Sequence, residues 1–171
     1  ADVLFGDFNP CGKLTISFAR HAGQQPVWYN QIPGQHGQGY ADLTHKPLYP
    51  FGFGLSYTTY EYSDLKIEKP VLRIGESLHA SVAIRNTGSR AGTEIVQLYV
   101  NDLVSSVTTP VKELKAFERI ELAPGEAKTV TFNIEGAALS LIDARCQPMV
   151  EPGEFEVMAG PSSEDKRLLK A

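Results

Sequence analysis

The chain has 171 residues, 42% hydrophobic and 21% charged, which supplies enough apolar material for a packed core and excludes a disordered chain. Its 16 Lys and Arg against 20 Asp and Glu leave a net charge of -4, the wrong sign for a surface that tracks phosphates, so no nucleic acid is expected as a partner. No apolar run reaches the roughly 18 residues of a membrane-spanning helix, and no membrane partner is expected either.

The chain opens at Ala1, without Met, directly on Val3-Leu4-Phe5, and it reads as a processed or excised piece of something longer. From there to about residue 57, short apolar pieces such as Leu14 to Phe18 sit among Gly, Pro, Asn and Gln, and residues 21–49 sustain neither a period of 2 nor one of 3.6. This part is expected to be mostly loop, serving a site or a neighbour. After residue 57 the pattern becomes regular, and a strand is expected around Tyr60 to Ile67. Leu78, Ala80, Val82 and Ile84 then alternate with His79, Ser81, Ala83 and Arg85 until Asn86-Thr87-Gly88 breaks the run, the form of a half-buried strand and its turn. Val96, Leu98 and Val100 fall on one face of the next run and Ile95, Gln97 and Tyr99 on the other, so both faces are partly apolar and the strand should be central. Further strands are expected at Leu114 to Ile120, Val130 to Ile134, Leu139 to Ile142 and Phe155 to Ala159, two of them opened by a Pro-Gly-Glu turn.

About seven short strands with turns between them predict a mainly β chain: an immunoglobulin or fibronectin type III-like antiparallel β-sandwich. Trp28, the only Trp, lies outside the strand region, so the Cys…Trp…Cys spacing of true immunoglobulin domains is missing and the fibronectin-like form is favoured. The expected division is 1–57 as a loop-rich arm and 58–171 as the sandwich.

Chemistry-bearing motifs are sparse. Gly54-Leu55-Ser56-Tyr57-Thr58 matches a nucleophile elbow only at its Gly and Ser, with no strand and helix around it, and Gly52-Phe53-Gly54 lacks the rest of a phosphate-binding loop. Both read as a tight turn. His21, His36, His45 and His79 never fall at i, i+4, and Cys11 and Cys146 lack paired zinc spacing, so neither a metal nor a cofactor is expected. Two unpaired thiols are the simpler reading of the cysteines. Paired carboxylates would suit sugar chemistry, but Asp7, Asp42, Asp64, Asp102 and Asp143 read as turn residues. Aromatics are denser: Trp28, Tyr29, Tyr40, Tyr49, Phe51, Phe53, Tyr57, Tyr60 and Tyr62 crowd about 35 residues. They form either a sugar-stacking or docking surface, or a packing seam with polar handles.

Four stretches carry a resemblance. Residues 2–14 (DVLFGDFNPCGKL), 47–58 (PLYPFGFGLSYT), 111–117 (VKELKAF) and 151–155 (EPGEF) resemble, in order, the C-terminal end of glycoside hydrolase family 3 enzymes, mostly β-glucosidases with β-xylosidases and relatives. The family usually has Ser where Cys11 stands and Gly where Ala116 stands, and neither position is catalytic. The resemblance implies that 1–57 is the end of an α/β sandwich domain and its linker, followed by a fibronectin type III-like domain. It implies a whole enzyme that removes terminal, non-reducing β-D-glucosyl residues by a retaining mechanism, with its Asp nucleophile and Glu acid/base upstream of Ala1. No catalytic residue is therefore carried onto this chain, which is expected to be inactive alone and to scaffold the upstream catalytic barrel and α/β sandwich domains. Trp28, Tyr40 and Phe51 are the expected substrate-proximal residues, on the premise that the aromatic loop reaches an active site of its own or a neighbouring subunit. A homodimer is left open. The family's usual work implies secretion or a periplasmic place, with the cytoplasm as the other option. The competing reading is an independent carbohydrate-binding or adhesion β-sandwich module.

Overall fold

A computed structural model describes residues 1–34 and 39–171. Among them, nine strands carry the architecture: β1 (Tyr60–Ile67), β2 (Leu78–Asn86), β3 (Gly92–Asp102), β4 (Glu113–Leu122), β5 (Ala127–Ile134), β6 (Leu141–Ile142), β7 (Pro148–Met149), β8 (Phe155–Gly160) and β9 (Leu169–Lys170). They form a three-stranded sheet in the order β1-β2-β5, a four-stranded sheet in the order β4-β3-β8-β9, and the small β6-β7 pair. Every pairing is antiparallel, as expected for a fibronectin type III-like sandwich.

Alternation decides which side chains enter the core. On β2 the burial follows the apolar residues, with Leu78, Ala80, Val82 and Ile84 buried and His79 and Arg85 exposed. β5 supplies Val130, Phe132 and Ile134 from the same sheet. Val96, Leu98 and Val100 of β3, with Val157 and Ala159 of β8, meet them from the facing sheet. The turn before β5 bends at Gly125, whose φ of 75° lies in the left-handed region that glycine enters without a Cβ penalty. The Leu139 to Ile142 expectation is only half right. A 3-10 turn, Gly136–Leu139, precedes a two-residue strand, which pairs with β7 in a separate small sheet rather than with either main sheet.

β3 lies between β4 and β8, and its outer face is buried too: Tyr99 packs with Met158 of β8 and Leu168 in a second cluster, joined by Tyr29, Phe51 and Leu114. Tyr29 and Phe51 come from residues 1–57, which hold only the single α-helical turn α1 (Asp2–Phe5), a 3-10 turn at Ala22–Gln24, and an isolated bridge between Phe18 and Tyr49. This arm is laid over the outer face of the four-stranded sheet. Fully buried Gln24 ties the arm to itself. Its amide nitrogen donates to the Thr44 carbonyl at 2.6 Å and its amide oxygen accepts from the backbone N–H groups of Arg20 and His21.

The two-core arrangement predicts unequal costs for one substitution. Ile84→Ala, at a position with 0% exposure, is expected to cost about 2–5 kcal/mol in urea unfolding. Ile74→Ala, at 66% exposure, is expected to stay within about 0.5 kcal/mol of wild type.

Candidate functional site

Polar residues placed where the alternation calls for apolar ones build the junction between arm and sandwich. Glu94 falls in phase with Val96, Leu98 and Val100 and is 3% exposed. A carboxylate so placed must be paired and hydrogen-bonded. Its Oε1 accepts from Lys13 Nζ of the arm at 3.0 Å and from the Tyr62 hydroxyl at 2.8 Å. Burial first, and then the Glu94 charge, push the Tyr62 phenol far above its usual range, so the hydroxyl keeps the proton it donates.

Asn9 works beside this pair. Its amide nitrogen donates to the Ala91 carbonyl at 3.0 Å, while its amide oxygen accepts from Ser56 Oγ at 2.9 Å and the Tyr57 N–H at 2.8 Å. Ser56 is thus a turn residue bonded to Asn9, with no base beside it. The Tyr57 hydroxyl donates to the Val3 carbonyl at 2.6 Å, and the Arg90 guanidinium donates to the Gly6 carbonyl and lies over the Tyr57 ring. Further along the seam, Gln97 donates to the Pro161 carbonyl at 2.7 Å and the Gly52 carbonyl at 3.3 Å. Gly52 has φ 78°, and a Cβ there would overlap Gln97 Oε1, so only glycine allows the arm to lie this close.

Asn86 closes the same end of the core. With 0% exposure, it accepts from Thr58 Oγ1 at 2.6 Å and donates to the carbonyls of Arg90 and Leu122 at 2.7 and 3.1 Å.

The expected substrate-proximal residues divide between seam and surface. Phe51 stacks on Tyr29 with ring centroids 4.2 Å apart, and Tyr29 meets Tyr99 edge-on at 5.9 Å. Trp28 and Tyr40 are 58% and 40% exposed. The arm also shows apolar side chains outward: Leu4 and Phe5 are each 84% exposed, Ile16 63% and Phe18 45%. Cys11 and Cys146 are unpaired. Asp143 caps its own turn by accepting from the N–H groups of Arg145 and Gln147, and Asp64 sits at φ 52° in the irregular stretch of the β1–β2 register. Among the described residues no set of three His, Cys, Asp or Glu converges on a point; His36 lies outside them. None of their helices is long and apolar enough to cross a membrane.

The sequence reading missed Glu94, Lys13, Asn9, Gln97 and Asn86. For Glu94 and Asn86 the signal was present, since each continues the buried phase of its strand with a polar residue. Lys13 and Asn9 carry no such signal, their partners lying 47 to 82 residues away along the chain.

Comparison with known proteins agrees with this architecture. Residues 1–57 match the family described as Glycosyl hydrolase family 3 C-terminal domain, and residues 94–163 match the Fibronectin type III-like domain. The Periplasmic beta-glucosidase of Salmonella typhimurium is 44% identical over 95% of this chain, which spans 23% of that protein. The Beta-xylosidase of Formosa agariphila is 44% identical over 96% of the chain and again 23% of its own length. Among solved structures, a β-glucosidase involved in saponin metabolism from intestinal bacteria superposes with a TM-score of 0.95 at 47% identity, covering 100% of this chain and 23% of that one. A β-glucosidase from Listeria innocua in complex with glucose gives 0.89 at 41%, covering 100% and 25%. The chain spans about a quarter of the length of the relatives it matches.

The junction chemistry predicts asymmetry. Lys13→Met leaves Glu94 buried with only Tyr62 and is expected to cost about 3 kcal/mol. Adding Glu94→Leu should return part of that loss, so a double-mutant cycle followed by urea unfolding should give clearly non-additive values.

Proposed function

Because this chain belongs to glycosyl hydrolase family 3 as its C-terminal region, we propose that it is the non-catalytic scaffold of a β-glucosidase-type enzyme. In this reading residues 1–57 complete an α/β sandwich domain and its linker, and residues 58–171 are the fibronectin type III-like domain that braces them. The partners are the upstream catalytic barrel and α/β sandwich domains of the same longer protein, whose substrate is a terminal β-glucoside.

The observation that carries the reading is the outward apolar face of the arm. Leu4 and Phe5, each 84% exposed, and Ile16 belong to the same arm that Asn9 and Lys13 bond to the sandwich. Large apolar side chains left this open on one short arm fit an interaction site, and a neighbouring domain is their natural cover. The chemistry agrees. Retaining glycoside hydrolysis needs two carboxyl groups about 5–5.5 Å apart across a sugar pocket; Glu94 is paired in the junction and Asp143 caps a turn.

Trp28 and Tyr40 are proposed to border the aglycone side of the whole enzyme's pocket, on a loop that Phe51 anchors through its stack on Tyr29. A secreted or periplasmic place is proposed with it, in line with the relative from Salmonella typhimurium that is named periplasmic.

Alone, the 171-residue chain is expected to release no phenol from an aryl β-glucoside, and turnover above the uncatalysed rate would refute the scaffold reading. In the whole enzyme, Trp28→Ala and Tyr40→Ala are expected to raise KM for longer β-glucosides several-fold with little change for a short aryl glucoside. Unchanged constants for both substrates would reduce these rings to surface packing.

A further inference from the structure

The far end of the sandwich, away from the junction with Asn9 and Lys13, is not closed. β3 ends at Asp102, which pairs with Phe155 of β8, and Val100 pairs with Glu113 of β4. The segment Leu139–Ile142 lines this end as well. Between them lies a cleft of about 280 Å³ whose lining includes Asp102, Glu113, Lys115, Ser140, Leu141 and Phe155.

Asp102 is the unusual member of that lining. It continues the inward phase of Val96, Leu98 and Val100, so its carboxylate points toward the core end. Oδ1 is buried and has no hydrogen-bond partner among the described residues. Leaving a buried acceptor unmade is costly. Burial, opposed by the Val104 N–H and reinforced by the Glu151 charge, holds the carboxyl above its usual range. Gly153 lies alongside: even a Cβ added there would come no nearer to Oδ1 than 3.8 Å, so no side chain crowds the oxygen from that direction. The turn that carries Gly153 is held in place, with the Leu103 N–H donating to the Glu154 carbonyl at 3.0 Å and the Ser106 N–H to Glu151 Oε2 at 2.9 Å.

The remaining walls restrict what could fill the gap. Lys115 Nζ, 3.1 Å from Glu113 Oε2, and the Ser140 hydroxyl offer donors, whereas Asp102 Oδ1 wants one. A ligand that used both would donate to one wall and accept from another. A carboxylate or phosphate would face both Asp102 and Glu113, whereas a neutral hydroxyl can meet the unpaired acceptor and the donors alike. No convergent ligand set for a metal exists among the described residues. Leu141, Val100 and Phe155 supply an apolar wall suited to C–H groups. The volume stands at the foot of the ~300–1,000 Å³ range of ligand pockets, room for one ring rather than a chain of them.

We propose that this cleft is a binding subsite for a single neutral, polyhydroxylated sugar ring, with a ring hydroxyl donating to Asp102 Oδ1 and others engaging Lys115 and Ser140. The hydroxyl chemistry stands by itself. The choice of glucose as probe rests on the hydrolase reading.

The test is a titration of the ¹⁵N-labelled 171-residue chain with glucose, cellobiose and the open-chain polyol sorbitol, followed by amide shifts. Glucose and the terminal ring of cellobiose are expected to shift amides at 102–110, 139–142 and 153–155 with affinity on the order of millimolar, and sorbitol to do so far less. Asp102→Leu should weaken binding about tenfold or more. Asp102→Asn, which keeps the shape and one acceptor, should weaken it less, and it serves if the leucine variant does not fold. Melting curves of each variant check the fold. The proposal is overturned by silence with both sugars at concentrations on the order of 0.1 M, by shifts centred on Trp28 and Tyr40 instead, by equal response to sorbitol, or by wild-type affinity in a folded Asp102 variant. The titration reads binding alone, so its failure would leave the scaffold reading, tested by turnover, where it stood.

Discussion

Strand β3 carries apolar side chains on both faces, and burying both at once is the constraint that organises the molecule. Its inner face meets β2 and β5 across the sandwich, which two sheets alone can supply. Its outer face, through Tyr99 beside Met158, requires a second cover, and the arm provides it with Tyr29 and Phe51. A sandwich without the arm would therefore expose the second apolar cluster, and an arm without the sandwich would have little secondary structure of its own to hold it.

The polar groups of the junction follow from that demand. An irregular segment laid on a sheet brings backbone carbonyls and N–H groups that the sheet cannot pair, and each needs a partner if buried. Gln97 and Asn9 meet this need by bonding arm backbone to sandwich backbone through side-chain amides, which donate and accept from one group. Glu94 adds a charge pair under low exposure. A displaced register would strand a buried carboxylate, and breaking a buried pair costs more than the intact pair contributes. The outward apolar side chains Leu4, Phe5 and Ile16 lie on the same arm, so whatever covers them is held in a fixed relation to the sandwich.

The strands were legible because their period of 2 is a local property. Leu78 to Ile84 announces a buried face within seven residues, and the apolar residues on both sides of Val96 to Val100 announced a central strand. β7 and β9, two residues each, leave no period to detect, and the Gly136–Leu139 turn looks apolar enough to pass for the start of a strand. For the arm, the lack of period correctly gave a loop, but its seating depends on contacts such as Lys13 to Glu94, separated by 81 residues. Propensity and periodicity carry no information at that range. The aromatic cluster was visible as a composition, and the packing-seam reading describes part of it. Phe51 and Tyr29 belong to the seam around Tyr99, whereas Trp28 and Tyr40 are exposed.

The arm is fastened at both ends of its course. Asn9, Lys13 and Tyr29 hold its first half to the sandwich, and Phe51 and Gly52 hold its second half, while Phe18 bridges to Tyr49 between them. Protease nicking between Asn30 and Lys46 would therefore not release a fragment. The severed N-terminal piece would stay docked as a non-covalent partner, the nicked protein would migrate as one particle in a native gel, and the two pieces would separate only in denaturant.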